Sequence, residues 1–471
     1  MDIVFLKKNI VILFLLVIIF APGLVLAKTS NDPYFDQWSY EDIGVFDAWD
    51  YTTGSKNVVV AIIDNGFDTF HPDLRDNVWK NSDEIPNNAL DDDGNGYVDD
   101  VWGWNFVAKD IDGDGVISDR EKMGNNDPRP DVNNINSSML SKHIFSHGTM
   151  VAGIIGAVGN NNIDGAGINW QVKLMNIKVL GNSGNGGVEK LDQAIYYAVD
   201  NGADIINMSL VGGDSENLIP AIDYAFSKGV VVIAASGNNY YSLNEYAMYP
   251  VCADANMDVQ KVLGVSAIDA DHHLAIFSNI GSDCVDITAP GVNISSTVRF
   301  SPTNGLPDRY LGGWSGTSFA APMVSGASAL IKSIQPNWGP SEIYDALLST
   351  VYHTPGQDEN TYANLFGAGL LQIDKAVLYS RERVVQFLQK NNLNIIDLDS
   401  GDTWEFLSNS DNWQKKQNNF LSQSGEVFSF LKNDKKYFLL NKNILENELW
   451  LLDENGALIK KINFDLEKNI T

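Results

Sequence analysis

The run Asn57-Val58-Val59-Val60-Ala61-Ile62-Ile63, closed by Asp64, decides how this chain folds. Its apolar stretch is almost unbroken and rich in β-branched side chains. That suits a strand covered on both faces, where polar and apolar residues no longer alternate. Four runs of the same kind follow, Val172–Leu180, Ala203–Leu210, Val230–Ala235 and Val262–Ile268. Between them, Val188–Val199 and Leu218–Ser227 read as helices, with Gly202 and Gly229 as stop signals just beyond. Strands alternating with helices specify an α/β fold: a doubly wound, mostly parallel sheet with helices on both faces. Such sheets place their sites just past the carboxyl ends of the strands. The polar residues that leave those ends are Asp64, Ser209 and Asn238.

Composition narrows what can sit there. The 471 residues are 44% hydrophobic, which argues against wholesale disorder and against a multi-span membrane protein. Sixty acidic against 32 basic side chains give a net charge of −28, a surface that nucleic acid repels. At the N-terminus, Lys7 and Lys8 precede an apolar core, Ile10–Phe20, then Ala21-Pro22-Gly23 and Val25-Leu26-Ala27. This is the pattern of a secretory signal peptide, residues 1–27, cut after Ala27. The Pro-Gly break and the short apolar core favour cleavage over a retained anchor, so no membrane association is expected afterwards. Removing it takes the net charge to −29. Export permits a disulfide between the two cysteines, Cys252 and Cys284, although two buried free thiols are also compatible with the sequence.

Asp64 closes its strand in Ile63-Asp64-Asn65-Gly66-Phe67-Asp68. His147 opens a helix of small residues, His147-Gly148-Thr149-Met150-Val151-Ala152-Gly153. Ser318 lies in Gly316-Thr317-Ser318-Phe319-Ala320-Ala321-Pro322, at the head of a helix running toward Ile334. A serine hydroxyl is a weak nucleophile until an imidazole takes its proton, and the imidazole needs a carboxylate to fix its tautomer. The other five histidines, His71, His143, His272, His273 and His353, lack such a setting and read as surface or structural residues.

Three motifs in the order Asp, His, Ser, together with Ala234-Ala235-Ser236-Gly237-Asn238, Phe277-Ser278-Asn279 and Ala289-Pro290-Gly291, make the chain resemble the subtilisin-like serine proteases across residues 33–378. The resemblance implies that Ser318 is the nucleophile, His147 the general base and then acid, and Asp64 its orienter. It also implies that Asn238 offers its side-chain amide to the oxyanion beside the Ser318 backbone N–H. Substrate peptides would add as a strand between Gly184-Asn185-Gly186 and Ser209-Leu210-Val211. Protein or peptide substrates, a monomeric state and no nucleic-acid partner are expected.

Three departures from the family pattern stand out. Asn65 follows the aspartate where Ser or Thr is usual, and its amide can still donate to the carboxylate. Val211 stands where the substrate-lining segment usually carries Gly; it narrows the pocket for the residue before the cut or shifts the strand by one residue. Between Ala27 and Asn31-Asp32-Pro33-Tyr34-Phe35 there is no room for the usual folding propeptide, so folding without one and without zymogen cleavage is expected.

An insertion at about 82–131 carries metal chemistry. Asp110-Ile111-Asp112-Gly113-Asp114-Gly115-Val116-Ile117-Ser118-Asp119-Arg120-Glu121 fits a D-x-D-x-D-G-x₅-E calcium loop at every position. Its ligands would be Asp110, Asp112, Asp114, the Val116 carbonyl, Ser118 and a bidentate Glu121. Upstream, Asp91-Asp92-Asp93-Gly94-Asn95-Gly96-Tyr97-Val98-Asp99-Asp100 begins alike but reaches Trp102 where the closing Glu belongs. That truncated site would use Asp91, Asp93, Asn95, the Tyr97 carbonyl and Asp100. One or two structural calcium ions are expected.

The peptidase-like region is read as 28–380, followed by a small, mostly β appendage at 381–471 with a hairpin turn at Glu454-Asn455-Gly456. The leading expectation is a secreted, calcium-stabilised serine endopeptidase. A processing protease dedicated to one precursor is the alternative, and an inactive calcium-binding interaction protein a more distant one.

Overall fold

A computed structural model describes residues 28–34, 37–108, 122–132, 143–184, 186, 190–255, 257–354, 365 and 367–390, with seven further strands between 395 and 463. The signal segment 1–27, the calcium loop Asp110–Glu121 and Asn185 lie outside the described residues.

Seven strands form one parallel sheet: β1 Gly54–Asp64, β2 Gly103–Asn105, β3 Gln171–Lys178, β4 Ile205–Met208, β5 Val231–Ala235, β6 Val262–Ile268 and β7 Ile287–Pro290. Their order is β2-β3-β1-β4-β5-β6-β7, so β1 pairs with β3 on one side and β4 on the other. Among the described residues, eight α-helices accompany the sheet: α1 Trp38–Asp42, α2 Val45–Trp49, α3 His147–Gly156, α4 Leu191–Asp200, α5 Leu218–Ser227, α6 Thr317–Ile334, α7 Pro340–Leu348 and α8 Ile373–Lys390. A two-stranded ribbon, β8 Ile294–Thr297 with β9 Tyr310–Trp314, lies between β7 and α6 in sequence.

Successive residues of β1 point into different cores. Val58, Val60 and Ile62 join one cluster with α3, α6 and α7, while Val59, Ala61 and Ile63 join another with α4 and α5. This is the period-two geometry of a strand with both faces covered, and it explains why the sequence shows no alternation. Burying each such Val or Ile stabilises the fold by about 1.5–3 kcal/mol.

Strand ends differ slightly from the apolar runs. β3 stops at Lys178 because Val179 and Leu180 turn their N–H groups onto the Asp64 carbonyl, at 2.8 and 3.2 Å. β4 stops at Met208, and Ser209 turns toward the head of α6. Cys252 and Cys284 are joined in a disulfide, with Cα atoms 4.8 Å apart. Helix α8 carries the chain beyond residue 381, and the change to strands comes at Ile395. Three strands (Ile395–Asp397, Asp402–Leu407, Asn412–Gln417) and four more (Val427–Lys432, Lys435–Asn443, Glu448–Leu452, Leu458–Asn463) form two sheets of antiparallel neighbours. No described helix is long and apolar enough to cross a membrane.

Candidate active site

The carboxyl ends of β1, β3 and β4 and the heads of α3 and α6 meet at a cavity of about 390 Å³. It is lined by Asp64, His147, Ser318, Ser209, Leu210, Val211, Gly184 and Gly186, among others. Asp64 is fully buried. It accepts hydrogen bonds from the Asn65 N–H at 2.6 Å and from His147 Nδ1 at 2.8 and 3.0 Å. Burial pulls the imidazole down, but the Asp64 charge and hydrogen bond outweigh it and hold His147 above its usual 6.5. With Nδ1 committed to Asp64, Nε2 is left as the basic nitrogen. The Phe319 ring lies 5.8 Å from the His147 ring, centroid to centroid.

Asn65 acts differently from the sequence expectation. Its backbone, not its side chain, bonds to Asp64. The side-chain amide donates to the Ile144 carbonyl at 2.8 Å, and its oxygen accepts from Gly148 N–H at 2.9 Å. Asn65 therefore clamps the head of α3 to the end of β1. Gly148 follows His147 for lack of room, since a Cβ there falls 2.5 Å from the Gly66 carbonyl oxygen. Below the pair, Lys178 is opposite Asp64 in the β1–β3 register. Its ammonium donates to the carbonyls of Asn65 and Leu180, at 2.5 and 2.7 Å. Burial lowers Lys178 to about 8 against the pull of Asp64, Asp131 and Asp127.

Ser318 is the second residue of α6. Its hydroxyl donates to the Ser209 carbonyl at 3.2 Å rather than to His147. The Ser209 hydroxyl returns the contact, donating to the Ser318 carbonyl at 2.9 Å. That carbonyl needs an outside donor because Pro322, four residues on, has no N–H to give. Asn207 and Ser325 extend the network at 3.0 and 2.8 Å. Asn238 is exposed, and its side-chain oxygen accepts from the Thr317 N–H and hydroxyl at 2.8 and 3.0 Å, so these bonds do not engage its amide nitrogen. Asn279, whose motif gave no hint of a role, shapes the loop after β5: it donates to the Ser236 carbonyl at 2.8 Å and accepts from Asn239 and Tyr241 N–H at 3.0 and 2.9 Å.

Two of the other histidines make contacts of their own outside this site. His71 is buried, with Nε2 3.0 Å from the Arg309 carbonyl, and desolvation lowers it to about 4. His272 contacts Asp42 at 2.6 Å.

In the insertion, the described acidic loop closes on itself. Asp91 accepts from Asn95 and Gly96 N–H at 3.1 and 2.9 Å, and Asn95 accepts from Tyr97 N–H at 2.8 Å. Oxygens of Asp93 and Asp100 lie within 4.8 Å of one another and of Glu84, a buried residue that the motif did not include. Burial raises Asp100, and the Asp93 charge adds to this, against hydrogen bonds from Tyr197, Asn81 and Asn95. An all-oxygen set with such repulsion fits a hard divalent cation. The Tyr97 ring packs against Trp104, Phe106 and Tyr197, which anchors the insertion to α4. A second acidic group, also unforeseen, joins Asp32, Asp73 and Asp164. Burial raises Asp73 to about 8 despite hydrogen bonds from Asn161 and Gly165, with Asp164 and Asp32 adding repulsion.

The sequence matches the Subtilase family over residues 55–369. It is 35% identical over 312 residues to the thermophilic serine proteinase of Bacillus sp. (strain AK1), covering 65% of this chain and 60% of that one. It is 32% identical over 326 residues to subtilisin amylosacchariticus of Bacillus subtilis subsp. amylosacchariticus, covering 69% and 66%. The chain thus spans less than two thirds of the length of either relative. A solved structure described as proteases from Pseudoalteromonas arctica aligns with a TM-score of 0.57 at 30% identity, covering 75% of this chain and 100% of that one. With fold, motif order and family match in agreement, the chain belongs to the subtilase family.

Proposed function

We propose that this chain is an exported serine endopeptidase that cuts polypeptides through an acyl-enzyme on Ser318. The observation that carries the reading is one cavity lined by Asp64, His147 and Ser318, with the carboxylate 2.8 Å from His147 Nδ1. Catalysis starts when the Ser318 hydroxyl turns from the Ser209 carbonyl to His147 Nε2. Neutral His147 takes its proton as Oγ adds to the substrate carbonyl carbon, and Asp64 stabilises the imidazolium. The oxyanion is met by the Asn238 side-chain amide and the Ser318 N–H. His147 then protonates the leaving amine, the C–N bond breaks, and an ester remains on Ser318. Water, deprotonated by His147, hydrolyses that ester and restores the hydroxyl. Substrate would lie as an added strand between Gly184-Asn185-Gly186 and Ser209-Leu210-Val211.

Residues 1–27 direct export, the catalytic body runs from residue 28 through helix α8, and the strands from Ile395 onward are an appended β region. Calcium stabilises the insertion, held by the Asp110–Glu121 loop and by Asp93 and Asp100 with Glu84; when bound it supplies countercharge, not chemistry. The enzyme acts as a monomer on protein or peptide substrates. The decisive experiment compares the protein with Ser318→Ala. A fluorophosphonate probe is expected to label the former alone, and casein hydrolysis to fall at least about 10⁴-fold in the variant. Undiminished hydrolysis in Ser318→Ala would refute the mechanism; an unlabelled parent protein would favour the non-enzymatic calcium-binding reading. The narrowing residue Val211 favours a second reading, a processing protease with few substrates, which casein left intact beside a labelled Ser318 would support.

A further inference from the structure

We infer that this site accepts only a small residue, glycine, alanine or serine, on the acyl side of the bond it cuts, because Val211 and Met248 fill the space a larger side chain would occupy. The inference rests on Ser318 being the nucleophile. With the carbonyl carbon at Ser318 Oγ and its oxygen toward Asn238, the side chain of that substrate residue must enter between two backbone walls. One is Ser209-Leu210-Val211 at the end of β4, and the other is Ser236-Gly237-Asn238 at the end of β5. A Cβ built on Gly237 falls 3.3 Å from Val211 Cγ2 and 2.5 Å from Asn279 Nδ2. Carbon atoms in contact pack at about 3.5–4.0 Å, so the Val211 methyl already closes on the Gly237 wall and leaves no depth for a side chain longer than one or two heavy atoms.

The strand has not slipped to leave space elsewhere. Ser209 still exchanges hydrogen bonds with Ser318, and Gly212, next after Val211, is bridged to Tyr249 through two backbone bonds of 2.7 and 3.0 Å. Those bonds fix Val211 toward Gly237. Met248 packs on the same core cluster as Val211, and its sulfur is 3.3 Å from Asn279 Nδ2, the atom nearest the Cβ position on Gly237. The cavity that contains Ser318 has Val211 in its wall, together with Leu180, Gly184 and Gly186.

The test is a series of tetrapeptide anilides that differ only in the residue before the anilide: glycine, alanine, valine, leucine or phenylalanine. The alanine substrate is expected to exceed leucine and phenylalanine in kcat/KM by at least about tenfold. Val211→Gly should raise the phenylalanine-to-alanine ratio at least about tenfold, and Met248→Ala should raise it independently if the first variant does not fold. Parent protein that cuts the phenylalanine or leucine anilide as fast as the alanine one overturns the inference. So does an unchanged ratio in the folded variants, or a labelled Ser318 with every anilide cut equally slowly. Absence of both cleavage and fluorophosphonate labelling instead removes the enzymatic reading and this inference with it.

Discussion

His147 stands between two opposing pulls, and their balance sets the pH range expected of the proposed chemistry. Burial favours the neutral ring, while Asp64 favours the imidazolium, and the net result lies above the ordinary 6.5. In the mechanism proposed above, His147 must be neutral to take the Ser318 proton. The acid limb of kcat/KM against pH is therefore expected to have its midpoint above 6.5. A profile from pH 5 to 9 on one anilide measures it, and a midpoint below 6.5 would mean that desolvation dominates. Stability runs the other way on this group. A raised folded-state pKa stabilises the fold fully below the unfolded value near 6.5, and that contribution is lost as pH rises through the folded value. The residue thus gains competence as a base over the same interval in which its charge stops supporting the fold.

At the scale of elements, the link between β4 and α6 is the feature most open to measurement. Pro322 leaves the Ser318 carbonyl without a helical donor, and the Ser209 hydroxyl supplies one at 2.9 Å. Ser209→Ala is expected to destabilise the protein by about 1–3 kcal/mol, the cost of a buried acceptor left unpaired, read as a lower denaturation midpoint in urea. An unchanged midpoint would show that the bond carries no net weight. The pairing was not legible in the sequence, because the two serines are 109 residues apart and only the sheet order brings them together. The same limit hid Met248 from Val211, whereas Glu84 is only nine residues before Asp93 and was missed because the calcium-loop spacing does not include it. What was legible is local: apolar runs for β1, β5 and β6, and motif residues such as Asp64 and Asn238 that leave strand ends. Asn65 shows the boundary between the two. Its chemistry as a donor was plain, but its partner, the Ile144 carbonyl, depends on how α3 docks.

Across the whole molecule, charge is unevenly placed. Residues 82–131 hold 14 acidic and 4 basic side chains of the total of 60 and 32. If calcium neutralises part of this, excess chelator should lower the melting temperature by roughly 5 °C or more, since an ion bound only by the folded state stabilises by about 2.7 kcal/mol at a hundred times its Kd. Overlapping melting curves with calcium and with chelator would remove the metal from the account. The covalent cross-link has a consequence of its own. Cys252 and Cys284 close a loop of sequence separation 32, which contains the whole of β6. By chain-entropy reasoning such closure removes about 3–4 kcal/mol of freedom from the unfolded chain. That is a sizeable part of the 5–15 kcal/mol by which a typical domain is stable. Chain held among reducing thiols forgoes this contribution, so the redox potential of the surroundings becomes a determinant of how much folded protein exists.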